Sequence, residues 1–186
     1  MCTSVLYRNG KYSYFGRNLD LQYKLGNDVT VCPRNYVLKF RHLEDMPVHS
    51  AIVGMALTGY GYPLFFEGVN EYGVGAASLN FPNYGQYNTE LEEGKKNVTS
   101  FELIPYLLSS CRNLDDVRKE LAEINLVADD FNEKVKSVPL HWICCDKKGS
   151  IVVERTATGL HVYENDLNVL ANAPEYPAQA VNFANY

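Results

Sequence analysis

The order of strand-like and helix-like segments is the feature that most constrains this chain. Short β-prone segments, separated by turns that contain glycine or proline, fill the first eighty residues; they cover residues 12–15, 29–32, 36–40, 51–57, 64–69 and 74–80. Apolar residues then recur at helical spacing between positions 101 and 121, and strand-like segments return after residue 140. Strands, then helices, then strands again predict an α+β fold built in layers.

Two polar residues mark where the helices are predicted to begin. Thr99, with Glu102 three residues later, has the pattern of a capping box, and Ile104 and Leu108 follow on one helical face. Asn113 is a second predicted N-cap, followed by two aspartates in the first turn. Beyond the helices, residues 141–145, 151–154 and 160–163 predict a three-stranded meander.

Size and charge limit the partners that the chain can have. With 186 residues, of which 46% are hydrophobic, the chain is long enough to bury a core and predicts a single domain. A net charge of −5 gives no basic footprint for nucleic acid. Because no apolar run approaches the roughly 18 residues of a membrane-spanning helix, we expect no membrane partner either.

The start of the chain and its cysteines predict a reducing compartment. The first ten residues lack the basic and apolar segments of a signal peptide, which indicates a cytoplasmic location. The five cysteines are an odd number without the paired spacing of a disulfide framework or a zinc site, so reduced thiols are expected.

Cys2 follows the initiator methionine directly, and this position is the first pointer to chemistry. Removal of Met1 would leave a thiol and a free α-amine on the same residue. The pKa of such an amine is roughly 7.7–8.0, whereas that of lysine is about 10.4. The amine can therefore accept a proton at neutral pH. Cys2 could therefore act as both nucleophile and base, although a chance cysteine at this position is the competing interpretation.

Arg17 and Asp20 follow at the end of the first predicted strand. If that strand lies beside the one that begins at Cys2, Arg17 can hold a thiolate by its charge, and Asp20 can accept a hydrogen bond from the terminal amine. A solvated Arg–Asp pair at the end of a strand would have the same sequence pattern.

Six motifs occur in a defined order along the chain: Met1-Cys2-Thr3-Ser4, Tyr14-Phe15-Gly16-Arg17-Asn18-Leu19-Asp20, Asn70-Glu71-x-Gly73, Leu79-Asn80-Phe81-Pro82, Pro139-Leu140-His141-Trp142 and Ala171-Asn172-Ala173-Pro174-Glu175. Together they resemble choloylglycine hydrolases, the bile salt hydrolases and penicillin V acylases of the N-terminal nucleophile superfamily. The resemblance covers essentially residues 1–186 and implies a single domain with the αββα four-layer sandwich of that superfamily. Family members are considerably longer and carry a further active-site arginine, so the resemblance also implies a fold truncated on its C-terminal side.

The resemblance assigns a role to five of the motif residues. Cys2 is similar to the family nucleophile, and Arg17 and Asp20 match the charged pair beside it. Asn172 resembles the asparagine whose side-chain amide donates to the oxyanion, and Asn80 matches the position whose backbone N–H completes that hole. These parts are sufficient for acyl transfer, so neither a metal nor another cofactor is implied.

The substrate expected from the resemblance is a small-molecule conjugated bile salt. Asn80 is similar to the asparagine of bile salt hydrolases at this position, where penicillin V acylases commonly carry tyrosine. Cleavage of the amide between a bile acid and glycine or taurine is therefore expected. The alternatives are penicillin V or another linear N-acyl amide as substrate, and an inactive remnant of the fold. Family resemblance further implies a homo-oligomer, a tetramer.

Apolar residues near the motifs are predicted to line a pocket for the steroid ring system. Such a site would be mostly hydrophobic with few polar anchors. Packing in the core is the competing interpretation for each of them. The predicted pocket residues are Leu19, Leu21, Phe65 and Phe66.

Overall fold

The computed structural model describes residues 1–20 and 25–185. Its strands are β1 (Thr3–Asn9), β2 (Tyr12–Asn18), β3 (Asp28–Cys32), β4 (Ile52–Leu57), β5 (Leu64–Asn70), β6 (Gly75–Asn80), β7 (Lys96–Thr99), β8 (Ile124–Val127), β9 (Leu140–Cys145), β10 (Ser150–Thr156), β11 (Gly159–Glu164) and β12 (Val169–Ala171). Its helices are α1 (Leu103–Ser110), α2 (Leu114–Glu123) and α3 (Tyr176–Phe183). The sequence of strands, helices and strands confirms the predicted α+β order.

Two antiparallel sheets form the frame of the molecule. The larger has seven strands in the order β11-β10-β9-β6-β5-β4-β3, and the smaller has three in the order β12-β1-β2. The meander β9-β10-β11 forms one end of the larger sheet, as the sequence predicts. Strands β7 and β8, which the sequence analysis does not predict, pair in parallel as a separate ribbon.

The larger sheet is covered on both faces, and alternating residues of its strands enter two different cores. Ala76, Cys144 and Val153 pack with helices α1 and α2. Their chain neighbours Ala77 and Ile143 pack on the other face, in a cluster that includes Cys2. The layers are therefore the two helices, the seven-stranded sheet and the three-stranded sheet, and Cys2 lies between the sheets.

The adjacent cysteines of β9 face opposite sides of the sheet, so they cannot line one site. Cys144 lies in the core on the helix side. Cys145 lies on the side of β2, because a Cβ atom added to Gly75 would come within 2.8 Å of Cys145 Sγ and 2.9 Å of Phe15 Cδ1. Both side chains are packed in the interior.

The prediction of a strand at residues 36–40 is wrong. This segment is a loop that makes a single bridge, between Leu38 and Met46. The Tyr36 carbonyl accepts a hydrogen bond from His49 Nε2 at 2.7 Å instead of joining a ladder. Leu38 and Phe40 are buried, so the alternating pattern arises from an extended loop that packs on the core.

The predicted capping box at Thr99 is also wrong. Thr99 ends β7 and pairs with Val127, so its backbone belongs to the parallel ladder, and α1 begins only at Leu103. Glu102 does accept a hydrogen bond from the Thr99 N–H at 3.2 Å, but the Thr99 hydroxyl has no partner among the residues described. The second helix begins as predicted, with Asn113 as its N-cap.

No helix within residues 1–20 and 25–185 is both long and apolar enough to cross a membrane.

Candidate active site

A tight hairpin places Cys2 beside Arg17. Strands β1 and β2 pair in antiparallel register, with Thr3 opposite Asn18 and Ser4 opposite Arg17. The two strands are joined by a short turn in which Gly10 has a φ of +59°, a conformation that glycine adopts without steric cost. The condition stated in the sequence analysis, that these two strands lie side by side, is therefore met.

The Cys2 thiol faces the guanidinium of Arg17. Cys2 is only 4% exposed, and its Sγ lies 3.8 Å from Arg17 Nη2. The other terminal nitrogen of Arg17 forms an ion pair with Glu67 on β5, with 2.6 Å between Nη1 and Oε2. The Arg17 cation therefore lies where it can pair with a thiolate, the form of cysteine that acts as a nucleophile.

The chain terminus lies over the same hairpin. The α-amine of Met1 donates a hydrogen bond to Asp20 at 2.5 Å, and this bond raises the pKa of the amine above its ordinary value of 8.0. Asn18 holds the first peptide in place, because its side chain accepts from the Thr3 N–H at 2.6 Å and donates to the Met1 carbonyl at 3.2 Å. Met1 itself is exposed.

Asn172 lies directly beside Cys2 because β12 pairs with β1, with Ala171 opposite Thr3. Its side-chain oxygen accepts a hydrogen bond from the Cys2 N–H at 2.5 Å. Its side-chain nitrogen donates to the Asn80 carbonyl at 2.8 Å. The Asn172 amide therefore links the candidate nucleophile to Asn80, the other predicted oxyanion residue, although the three residues are far apart in the sequence.

The backbone N–H of Asn80 points away from β9. The next residue, Phe81, donates its N–H to the Pro139 carbonyl, which precedes β9, and successive N–H groups along a strand point to opposite sides. On the other side the ladder between β5 and β6 extends only to the Glu67–Ala77 pair. Asn80 thus lies at an exposed end of β6, three residues beyond that pair.

The predicted pocket residues fall in different places. Leu19 packs against the buried cluster that contains Cys2. Phe65 is 5% exposed and lies in the core on the helix side, and Phe66 is half-buried, with its carbonyl accepting a hydrogen bond from the Ser78 hydroxyl at 3.2 Å. Leu21 lies outside the described residues.

Glu67 is the residue that the sequence analysis misses. It contacts the guanidinium that faces the thiol, yet it is not part of any motif used above. The signal in the sequence is a single carboxylate inside the otherwise apolar or small segment Leu64–Asn70.

The arrangement can perform nucleophilic chemistry. It brings a thiol, a fixed cation, an acidic residue beside the chain terminus and a side-chain amide to one end of the sandwich. Among residues 1–20 and 25–185, no group of three or more His, Cys, Asp or Glu side chains is arranged to hold a metal ion.

Comparison with known proteins gives consistent matches along the chain. The family model of linear amide C–N hydrolases, the choloylglycine hydrolase family, matches residues 2–186. The chain is 40% identical over 186 residues to a bile salt hydrolase/transferase of Lactiplantibacillus plantarum and 35% identical over 188 residues to a conjugated bile acid hydrolase of Lactobacillus gasseri. All of this chain aligns in both cases, but it spans only 57% and 60% of those relatives.

Solved structures match the fold in the same way. A crystal structure of a variant conjugated bile acid hydrolase from Clostridium perfringens matches with a TM-score of 0.93 at 32% identity. The match covers all of this chain and 57% of the Clostridium perfringens chain. Penicillin V acylase from Agrobacterium tumefaciens has a TM-score of 0.77 at 17% identity, which reports on the fold alone. These matches confirm the predicted fold class, the αββα sandwich of N-terminal nucleophile hydrolases.

Proposed function

The chain belongs to the choloylglycine hydrolase family of linear amide C–N hydrolases, and from this premise we propose that it hydrolyses the amide bond of glycine- or taurine-conjugated bile salts with Cys2 as nucleophile. The observation that carries the proposal is the position of the Cys2 thiol, 3.8 Å from the Arg17 guanidinium and bonded through its backbone N–H to Asn172. The names of the Lactiplantibacillus plantarum and Lactobacillus gasseri relatives support the substrate class.

The first half of the reaction forms a thioester. After Met1 is removed, the α-amine of Cys2 takes the proton of the thiol and becomes an ammonium. The sulfur then attacks the carbon of the amide carbonyl, a C–S bond forms, and the carbonyl π electrons move to oxygen. When the tetrahedral intermediate collapses, the C–N bond breaks and the α-ammonium of Cys2 gives its proton to the leaving glycine or taurine nitrogen. Water then attacks the thioester while the α-amine accepts a proton from it. The C–S bond breaks, the free bile acid leaves, and the α-ammonium returns its proton to the Cys2 sulfur.

The surrounding residues prepare this chemistry. Arg17 stabilises the thiolate, and Asp20 holds the terminal amine, as it holds the amine of Met1. The Asn172 amide has two N–H donors, of which one bonds to Asn80, so the second is available to the oxyanion. The backbone N–H of Asn80 is the other proposed donor. Each such donor is worth about 2.7–4 kcal/mol of transition-state stabilisation.

Release of glycine or taurine from conjugated bile salts tests the proposal. Intact mass first establishes that Met1 is absent, and activity is then compared with that of Cys2→Ala and Asn172→Ala. We expect Cys2→Ala to abolish release, and Asn172→Ala to lower kcat by about 10²–10³-fold, because one oxyanion donor is lost. Penicillin V serves as the comparison substrate. Release that is unchanged in Cys2→Ala, or absent from the processed wild-type chain, would contradict the proposal.

We extend the proposal to the domain organisation, location and oligomeric state of the protein. Residues 1–186 contribute to one domain, which is supported by a buried cluster that joins Cys2 to residues as distant as Tyr176. A cytoplasmic location is supported by the five cysteines, all of which are free thiols. A homo-oligomer, a tetramer by family resemblance, is tested by light scattering coupled to size-exclusion chromatography.

A further inference from the structure

We propose that Glu67 is the positioning residue that holds Arg17 against the Cys2 thiol and thereby sets the reactivity of that thiol. The proposal rests on the thiol nucleophile proposed above, and it adds a residue to the machinery. Glu67 acts through Arg17, because its carboxylate bonds to the guanidinium rather than to the sulfur.

The contacts of Arg17 carry the proposal. Its side chain is 3% exposed, so the charge needs a partner inside the protein. Nη1 meets Glu67 Oε2 at 2.6 Å, and Nη2 faces Cys2 Sγ at 3.8 Å. Because a guanidinium is planar and rigid, a bond that fixes one terminal nitrogen also fixes the other. The carboxylate of Glu67 therefore determines where the positive charge lies relative to the sulfur.

A β-bulge directs Glu67 toward this site. Met55 on β4 pairs with Glu67, but the next residue of β4, Ala56, pairs with Phe65, so Phe66 is the extra residue in β5. The bulge places both Phe65 and Gly68 on the helix side, where a Cβ on Gly68 would lie 3.2 Å from Leu108 Cδ1 of α1. Glu67 faces the opposite side, toward β2. Bulges commonly redirect a side chain next to an active site in this way.

A purely structural role is the competing explanation, because the ion pair also joins the two sheets. The two roles differ in what they do to the sulfur. If the ion pair only holds the two sheets together, its loss changes the stability of the fold and leaves the ionisation of the thiol unchanged. A positioning role moves the pH range in which the thiolate is present. Within residues 1–20 and 25–185, the charged groups that contact Cys2 or its chain neighbour are Arg17, paired with Glu67, and the terminal α-amine, paired with Asp20.

The test measures alkylation of Cys2 by iodoacetamide as a function of pH, in the Met1-free chain, by intact mass. Burial raises the pKa of Cys32 to about 11 and those of Cys111 and Cys145 to about 12, and it also raises the pKa of Cys144. These four thiols therefore contribute little below pH 9, and Cys2→Ala gives the background.

We expect Glu67→Ala to move the midpoint of alkylation upward by about one pH unit, since the thiolate loses a fixed cation. Glu67→Gln keeps the bond to Arg17 and removes a negative charge, so its midpoint stays at the wild-type value or falls below it. Glu67→Asp retracts the carboxylate by one methylene, so its midpoint rises. Glu71→Gln is the matched control, because Glu71 also pairs with an arginine but lies in a turn away from the thiol.

The pH midpoint of Cys2 alkylation distinguishes the positioning role of Glu67 from a purely structural one. An unchanged midpoint in Glu67→Ala, or equal downward shifts in the Ala and Gln variants, would overturn the proposal. If Glu67→Ala does not fold by circular dichroism, the difference between the Asp and Gln variants decides in its place. The assay uses no bile salt, so a failure of bile salt hydrolysis and a failure of the positioning role are observed separately.

Discussion

Glu71 illustrates at the scale of one residue how this fold responds to acid. Its carboxylate is bonded by the Arg34 guanidinium, with 2.9 Å between Nε and Oε1, and by the Ala51 N–H at 2.8 Å. The hydrogen bond from Arg34 is the main cause that lowers the pKa of Glu71 from 4.5 to about 2. The stabilisation that this group provides is therefore complete above about pH 4.5 and is lost as the pH falls toward 2.

The lowered pKa of Glu71 leads to the first prediction. We expect Glu71→Gln to be less stable than the wild type at pH 7, and the difference between the two proteins to shrink as the pH is lowered from 5 to 2. Urea unfolding at a series of pH values measures the difference. A difference that is independent of pH would show that the charge of Glu71 contributes nothing.

At the scale of the element, α2 depends on its N-cap. The side chain of Asn113 accepts hydrogen bonds from the Asp115 N–H at 2.9 Å and the Asp116 N–H at 3.0 Å, two of the donors that the first turn leaves unpaired. Leu114, Val117 and Leu121 then bury one face of the helix. The cap therefore fixes the register in which this apolar face meets the sheet.

We predict that Asn113→Ala lowers the free energy of unfolding by about 1 kcal/mol, because both bonds are lost. Asn113→Asp keeps an acceptor at the cap and is expected to restore most of the stability. Urea denaturation of the three proteins measures the effect. Equal stability of the Ala variant and the wild type would contradict the role of the cap.

Local signals in the sequence predict some of these elements and miss others for a physical reason. Asn113 caps α2 through hydrogen bonds to residues two and three positions later, so a short stretch of sequence is enough to predict its role. Thr99 has an equally good local pattern, but pairing with Val127 determines its backbone. Cys2 and Arg17 are joined by a hairpin and are predictable together, whereas Glu67 reaches Arg17 only through the contact between two sheets. Long-range packing of this kind leaves no periodic signal.

The whole molecule depends on the close approach of its two sheets. Gly75 on β6 lies where Phe15 of the smaller sheet meets the larger one, because an added Cβ would be 2.9 Å from Phe15 Cδ1 and 2.8 Å from Cys145 Sγ of the neighbouring strand β9. Phe15 belongs to the smaller sheet and packs against the cluster that contains Cys2. Separation of the sheets at this point would therefore also disturb the site.

We predict that Gly75→Ala costs about 1–3 kcal/mol through overpacking, and that Phe15→Leu in the same chain recovers part of this cost by making room. A double-mutant cycle, measured by urea unfolding, isolates the coupling between the two positions. Strictly additive effects would show that the two sheets do not meet at Gly75.

The pairing of β1 with β12 also has a consequence for biosynthesis. Thr3 pairs with Ala171, so the first strand to leave the ribosome waits for a partner from near the far end of the sequence. At about 5–20 residues per second, that wait is on the order of ten seconds. During this interval Met1 has left the ribosome while Asn172, which bonds to Cys2, has not yet been made. If Met1 is removed as proposed above, translation allows this removal to precede assembly of the thiol site.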